Sequence, residues 1–362
     1  MESRIFFSFQ TLVVFALVRF KDSLIPSRMS TDNSSNSDDD SFTYSEVSLP
    51  RSARFWLMLL FNVPSVICSF YLILYIFLNR IQRYALQNHT ILLTLIFGLP
   101  VQLMDINFYL TFFHYGVIQP SEPIVCLLWW FADYGIYNGG LFLMCWLAIE
   151  RHILIFHDRW VSNRRGRFIF HYLPLILITA YIFLFYIIVI FFLPCENAYV
   201  YTVPVCGASP CYQSYGILGM FEFMVNTTIP IMLESIVSVG LVMRVQWQKR
   251  RLRQSTQWRK HRRMIIQLFL VSGLNVILNL PISLIPIARL CGLPSDYGVQ
   301  AQLYFFFLGY FVIFLFPFAS LCQFPELRKK LKTKIFPVVP RQQDRTIAEG
   351  YVMQSIRITR MP

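Results

Sequence analysis

The chain runs to 362 residues with a formal net charge of +13, and 56% of its residues are hydrophobic against 14% charged. An ordinary water-soluble domain carries about a quarter charged residues, so this composition excludes one and makes the bilayer the solvent to reason with. The basic excess does not point to nucleic acid, because Lys and Arg are segregated along the chain in a pattern that topology explains.

Residues 5–18, IFFSFQTLVVFALV, form an apolar run too short to span comfortably. It reads either as a signal peptide, although Glu2 offsets Arg4 and no Ala-x-Ala site follows, or as an inaccurate gene start. Residues 22–54 are rich in Ser and Asp and read as a disordered tail. Asn33-Ser34-Ser35 within it is a glycosylation sequon. Seven runs long enough to span follow, at 55–78, 88–113, 123–151, 168–193, 215–243, 264–288 and 300–322. Their apolar residues recur on all faces without strand-like alternation, which predicts helices rather than a barrel. The expected fold is an all-α seven-helix membrane bundle over 55–336. An N-terminal tail (1–54) precedes it and a C-terminal tail (337–362) follows.

The third run is the most informative. Asp133 and Arg151 lie eighteen residues apart, about five helical turns, so they share a face about 27 Å apart, close to the thickness of a hydrocarbon core. Cys126 opens this run and Glu150-Arg151-His152 closes it. In the fifth run Glu222 and Asn226 are one turn apart and share a face. They read as a second polar anchor for a ligand, with Asn226 alternatively bridging helices. Glu234, Asp105, Asn275 and Asn279 read as interior polar groups that hydrogen-bond between helices.

Charge orients the bundle. Loops one, three and five carry Arg80 and Arg83, then Arg151, Arg159, Arg164, Arg165 and Arg167, then the basic stretch 244–263. Loops two and four carry no Lys or Arg, and loop six has only Arg289. The positive-inside rule then puts the odd loops and the tail in the cytoplasm and the N-terminus outside, as expected of a multi-pass plasma-membrane protein. The basic surfaces also attract anionic lipid. Cys126, Cys195, Cys206, Cys211 and Cys291 fall on the oxidising outer side. Cys126–Cys211 with Cys195–Cys206 is the favoured pairing, and Cys206 is the rival partner of Cys126. The six histidines form no metal spacing, and no phosphate loop, nucleophile elbow or catalytic pair appears, so neither cofactor nor enzyme activity is expected.

Seven helices with an outer N-terminus, Cys126 opening helix three and Glu150-Arg151-His152 closing it resemble a rhodopsin-like (class A) G-protein-coupled receptor. Pro230, Pro281 and Pro317 stand where that family bends helices five, six and seven. The basic amphipathic stretch 325–331 follows helix seven as the family's eighth helix does. With its departures from that family's motifs, the chain resembles a divergent, lineage-expanded invertebrate receptor of chemosensory type. Phe316 and Leu321 replace the Asn and Tyr of the helix-seven motif, Asn279 replaces the helix-six tryptophan, and Gly98 replaces the sodium-binding aspartate. The resemblance implies an extracellular ligand, a heterotrimeric G protein as partner, and signalling through Glu150, Arg151 and His152. In the resting state Glu150 is expected to hold Arg151 in an ion pair. His261 and its basic neighbours replace the acid at the foot of helix six, so the resting lock should be weak.

An intramembrane carboxylate is a functional group by default. The resemblance makes Asp133 the counter-ion of a cationic amine or peptide, with Tyr310 hydrogen-bonding it and Tyr137 and Phe306 as aromatic walls. The thinned helix-six cluster, Asn279, Ile282 and Ser283, argues against an amine specifically. The bland alternative is a structural polar plug. A transporter or channel with a path through Asp133, Glu222 and Glu234 is the competing class. An odd helix number and the lack of internal repeats count against it.

Overall fold

The structure, a computed structural model, describes residues 47–207, 210–251, 270–294, 297–324 and 327. Asn33, the apolar run 5–18, the stretch 252–263 with His261, and most of 325–331 lie outside the described residues. Seven helices are long and apolar enough to cross a membrane. They are α1 (Arg51–Leu78), α2 (Leu86–Tyr115), α3 (Pro123–Phe156), α4 (Arg164–Phe192), α5 (Gly216–Leu241), α6 (Leu270–Leu290) and α7 (Val299–Leu321). No strand occurs among the described residues. Hydrocarbon offers no partner for an exposed N–H or C=O, so each segment satisfies its own backbone as a helix. The protein is an all-α seven-helix bundle of the multi-pass membrane type.

Each helix buries one stripe and presents the other to lipid. On α1, Met58, Leu72 and Ile76 are buried, whereas Trp56, Leu60, Ile67 and Leu74 are exposed. The central helix is α7, with 61% of its window buried against 28% for α4 and α5. Side chains on α7 are therefore placed to reach partners on several helices. The third helix runs five residues past Arg151 to Phe156, so Arg151 sits inside the helix and is buried rather than snorkelling at its end.

Five stretches widen into i→i+5 turns: Val101–Asp105 in α2, Phe131–Ile136 in α3, Phe168–Tyr172 and Ile188–Phe192 in α4, and Glu222–Thr228 in α5. Such turns are uncommon and gather at functional sites. Three of them carry the buried acids Asp105, Asp133 and Glu222. Four lie within two residues of a proline, Pro100, Pro174, Pro194 or Pro230, whose nitrogen cannot donate to the preceding turn. In α6 the helix breaks into a turn at Asn279, two residues before Pro281. Pro317 lies buried inside α7.

The cysteine pairing corrects the favoured expectation. Cys126 pairs with Cys206, the rival, and Cys195 pairs with Cys211. The cause is the fold of the loop before α5. Ile118 N donates to Tyr201 O (2.9 Å), Val200 N to Cys206 O (3.2 Å), and Trp130 Nε1 to Val205 O (2.7 Å). These bonds turn the loop back over the start of α3 and set Cys206 beside Cys126. Cys211 is held at the head of the short helix Cys211–Ser214, where its N–H donates to Asn197 Oδ1 (2.8 Å), within reach of Cys195. Val205 and Cys206 both adopt left-handed backbone (φ 54° and 52°), which costs a residue with a Cβ and persists where surroundings enforce it.

Candidate functional site

The two ends of the bundle hold different chemistry. At the disulfide end Asp133 is 4% exposed, and the Tyr310 hydroxyl donates to its Oδ1. Asp133 Oδ2 is buried without a hydrogen-bond partner among the described residues. The Tyr109 hydroxyl lies 3.3 Å from that of Tyr310, and the two rings meet edge to face at 5.4 Å. Tyr137 packs edge to face on Tyr310 at 5.6 Å, and its hydroxyl donates to Asn279 Oδ1 (3.1 Å), tying α3 to the break in α6. Phe306, half exposed, meets Tyr310 at 6.2 Å. Asp133, Tyr137, Phe306 and Tyr310 are thus brought together.

Glu222 and Asn226 do not join that group. Glu222 Oε1 accepts from Tyr186 (3.1 Å) and Tyr212 (2.9 Å), and Oε2 accepts from Gln213 (3.1 Å). Asn226 Oδ1 accepts from Tyr181 (2.6 Å), and its Nδ2 donates to the Tyr186 hydroxyl (3.3 Å). Asn138 Nδ2 donates to the same hydroxyl (2.7 Å). Both carboxylate oxygens of Glu222 are engaged, so this cluster ties the disulfide-bonded loop, α3, α4 and α5 to one another. Asn226 takes the bridging role that the sequence left open. Tyr212 lies outside the spans, and burial, reinforced by the Glu222 carboxylate, pushes its hydroxyl well above the usual phenol range. It therefore remains a donor to Glu222.

Sequence reasoning set Asp105 aside as a bland interior group. It is fully buried on the stretch of α2 that packs against Phe131–Ile136 of α3, and its Oδ1 accepts from Trp129 Nε1 (2.8 Å). Trp129 in turn packs edge to face on Tyr109 at 5.1 Å. Asp105 and Asp133 therefore flank one aromatic cluster of Tyr109, Trp129 and Tyr310. A wide turn carries no hydropathy signature, and nothing in the sequence signals this convergence.

At the other end the expected Glu150–Arg151 pair gives way to other partners. Glu150 Oε2 accepts from Thr90 (2.5 Å), and Oε1 contacts His171 Nδ1 (2.5 Å). Arg151 Nη2 donates to Gln323 Oε1 (3.0 Å) and Gln87 O (3.2 Å). Gln323 donates onward to Asn88 Oδ1 (2.7 Å), and Asn88 to Gln82 O and Oε1 (2.9 Å each). The physical reason is direction. Adjacent helical residues point about 100° apart, so Glu150 faces α2 and α4 while Arg151 faces the end of α7. His152 Nε2 lies 3.0 Å from Arg244 Nη1, whose guanidinium stacks over Phe156 at 4.3 Å. Gln323, Thr90 and His171 were not singled out by sequence, since neutral or sparse polar residues near helix ends carry no pattern.

Between the ends lies a small internal cavity of about 20 Å³, with room for about one water. Gly98 lines it together with Thr94, Gln102, Tyr137 and Asn279, and no carboxylate is among its lining residues. No protein-family model matches the chain, and no curated protein matches it by sequence.

Proposed function

We propose that this membrane protein is a receptor that binds an extracellular ligand within the bundle and activates a heterotrimeric G protein. The observation that carries the reading is the pairing of a half-satisfied buried carboxylate at one end with a clasped, buried arginine at the other. Asp133 keeps one oxygen unpartnered and is walled by Tyr137 and Tyr310, an arrangement that suits a cationic group on an amine or a peptide. Such a group would compete with Tyr310 for the carboxylate. Tyr137 is bonded to Asn279, so a shift there reaches α6 at its break beside Pro281. Movement of α6 and α7 would then draw Gln323 from Arg151 and free the arginine for the partner.

A transporter or channel would need a continuous polar path. The cavity between the ends is small, and Leu95, Phe97, Leu141, Met144 and Phe316 supply much of its lining, which favours a relay over a conduit. The proposal places the protein in the plasma membrane with its N-terminus outside and assigns it no enzyme activity. Arg151→Ala tests it in cells expressing a G-protein dissociation reporter. Ligand-dependent dissociation should be abolished while surface expression is retained. Dissociation that persists at the wild-type level would exclude this role for Arg151.

A further inference from the structure

The contacts of Glu150 continue into a chain that reaches the protein surface. Glu150 Oε1 meets His171 Nδ1 at 2.5 Å, His171 Nε2 meets His89 Nδ1 at 3.0 Å, and His89 Nε2 meets the Arg83 carbonyl oxygen at 2.8 Å. His171 is 1% exposed, whereas His89 is half-buried and Arg83 is exposed. Each contact needs one hydrogen between its two heavy atoms. The Arg83 carbonyl can only accept, so His89 Nε2 carries a hydrogen. Three contacts require three hydrogens, and two neutral imidazoles supply two. The third is an additional proton. Thr90 donates to Glu150 Oε2, and an imidazole is ordinarily a stronger base than a carboxylate, so the proton is placed on the ring pair. The count is the same whichever ring carries it.

We propose that Glu150, His171 and His89 form a proton-binding site, in which one proton taken up from bulk water through His89 bridges the buried carboxylate to the surface. Three packed elements bring titratable or charged groups toward the site. Helix α3 offers Glu150 and its neighbour Arg151, which is turned to Gln323. Helix α4 offers Tyr172, whose ring lies 4.7 Å from His171 and 5.8 Å from His89. The segment before α2 offers Arg83, whose guanidinium sits over Tyr84 at 5.5 Å. Loss of the proton leaves hydrogens for two of the three contacts, so either the His171–Glu150 or the His171–His89 contact goes without one. On the receptor reading above, the site sets the charge beside Arg151.

The test is long-range proton–nitrogen NMR on the full chain, labelled with ¹⁵N-histidine and held in lipid nanodiscs. At mildly acidic pH one of the two rings should show both nitrogens protonated, and His89 and His171 should change together as the pH is raised. Glu150→Gln should abolish the doubly protonated signal. His89→Gln, at the half-buried end, should leave His171 titrating alone and serves as the second variant if Glu150→Gln fails to fold. Two neutral rings throughout, or two rings that titrate independently, would overturn the site. No G protein enters this measurement, so its failure is separate from failure of the receptor assignment.

Discussion

Asp133 and Arg151 are both buried charged groups, held by different partners. Asp133 has one oxygen partnered by Tyr310 and one unpartnered among the described residues, whereas Arg151 is fastened to Gln323 and the Gln87 carbonyl. A hydrogen bond to a charged group is worth about 1.5–3 kcal/mol, so Asp133→Asn should weaken binding of a cationic ligand roughly ten- to a hundredfold. Competition binding with charged and neutral ligands checks this, and equal potency on the variant and the wild type would remove the counter-ion role. Gln323→Ala removes the acceptor of Arg151 and the donor to Asn88 together. On the proposed receptor reading, nucleotide exchange without ligand should rise several-fold in a reporter assay, and an unchanged basal rate would show that the clasp restrains nothing. Asp133, Tyr137, Phe306 and Tyr310 were legible as a group because helix spacing and the family resemblance place them on facing turns. Asp105, Gln323, Thr90 and His171 were not, because each gains its meaning only from a partner on another helix.

The helices themselves were legible, since twenty apolar residues in a row leave the backbone no alternative in lipid. Their internal register was less so. The five-turn count from Asp133 to Arg151 takes a uniform 3.6-residue turn, and the wide turn Phe131–Ile136 lies on that path and shifts the phase. Disulfide connectivity was also beyond the sequence, because four cysteines allow three pairings and only the loop's fold selects one. Peptide mapping without reduction should recover Cys126 linked to Cys206 and Cys195 linked to Cys211; a Cys126–Cys211 peptide would contradict the loop described above. Close packing of α3 gives a sharper test. A Cβ on Gly139 would fall 2.5 Å from the ring of Phe97, which is buried, whereas one on Gly140 meets nothing within 4 Å. Gly139→Ala should destabilise the bundle by about 1–3 kcal/mol, the usual cost of overpacking, and Gly140→Ala should be near neutral. Thermal unfolding of the two variants in detergent compares them directly.

For the whole molecule, segregation of Lys and Arg predicts the orientation, and on the proposed receptor reading orientation decides which end receives and which end reports. An epitope tag at the N-terminus should be accessible on intact cells, and Asn33 should carry a glycan. Access only after permeabilisation would reverse the bundle and with it the proposed roles of Asp133 and Arg151. One feature at the disulfide end has a kinetic meaning. The loop from Cys195 to Cys211 is closed on itself by one disulfide and tied to α3 by the other, and its Val205 carbonyl accepts from Trp130, three residues along α3 from Asp133. On the proposed receptor reading a ligand entering from that side passes this loop, and entry is then expected to be limited by the loop rather than by diffusion. Ligands of different charge should then associate at similar speeds, nearly independent of salt, and differ in how long they stay.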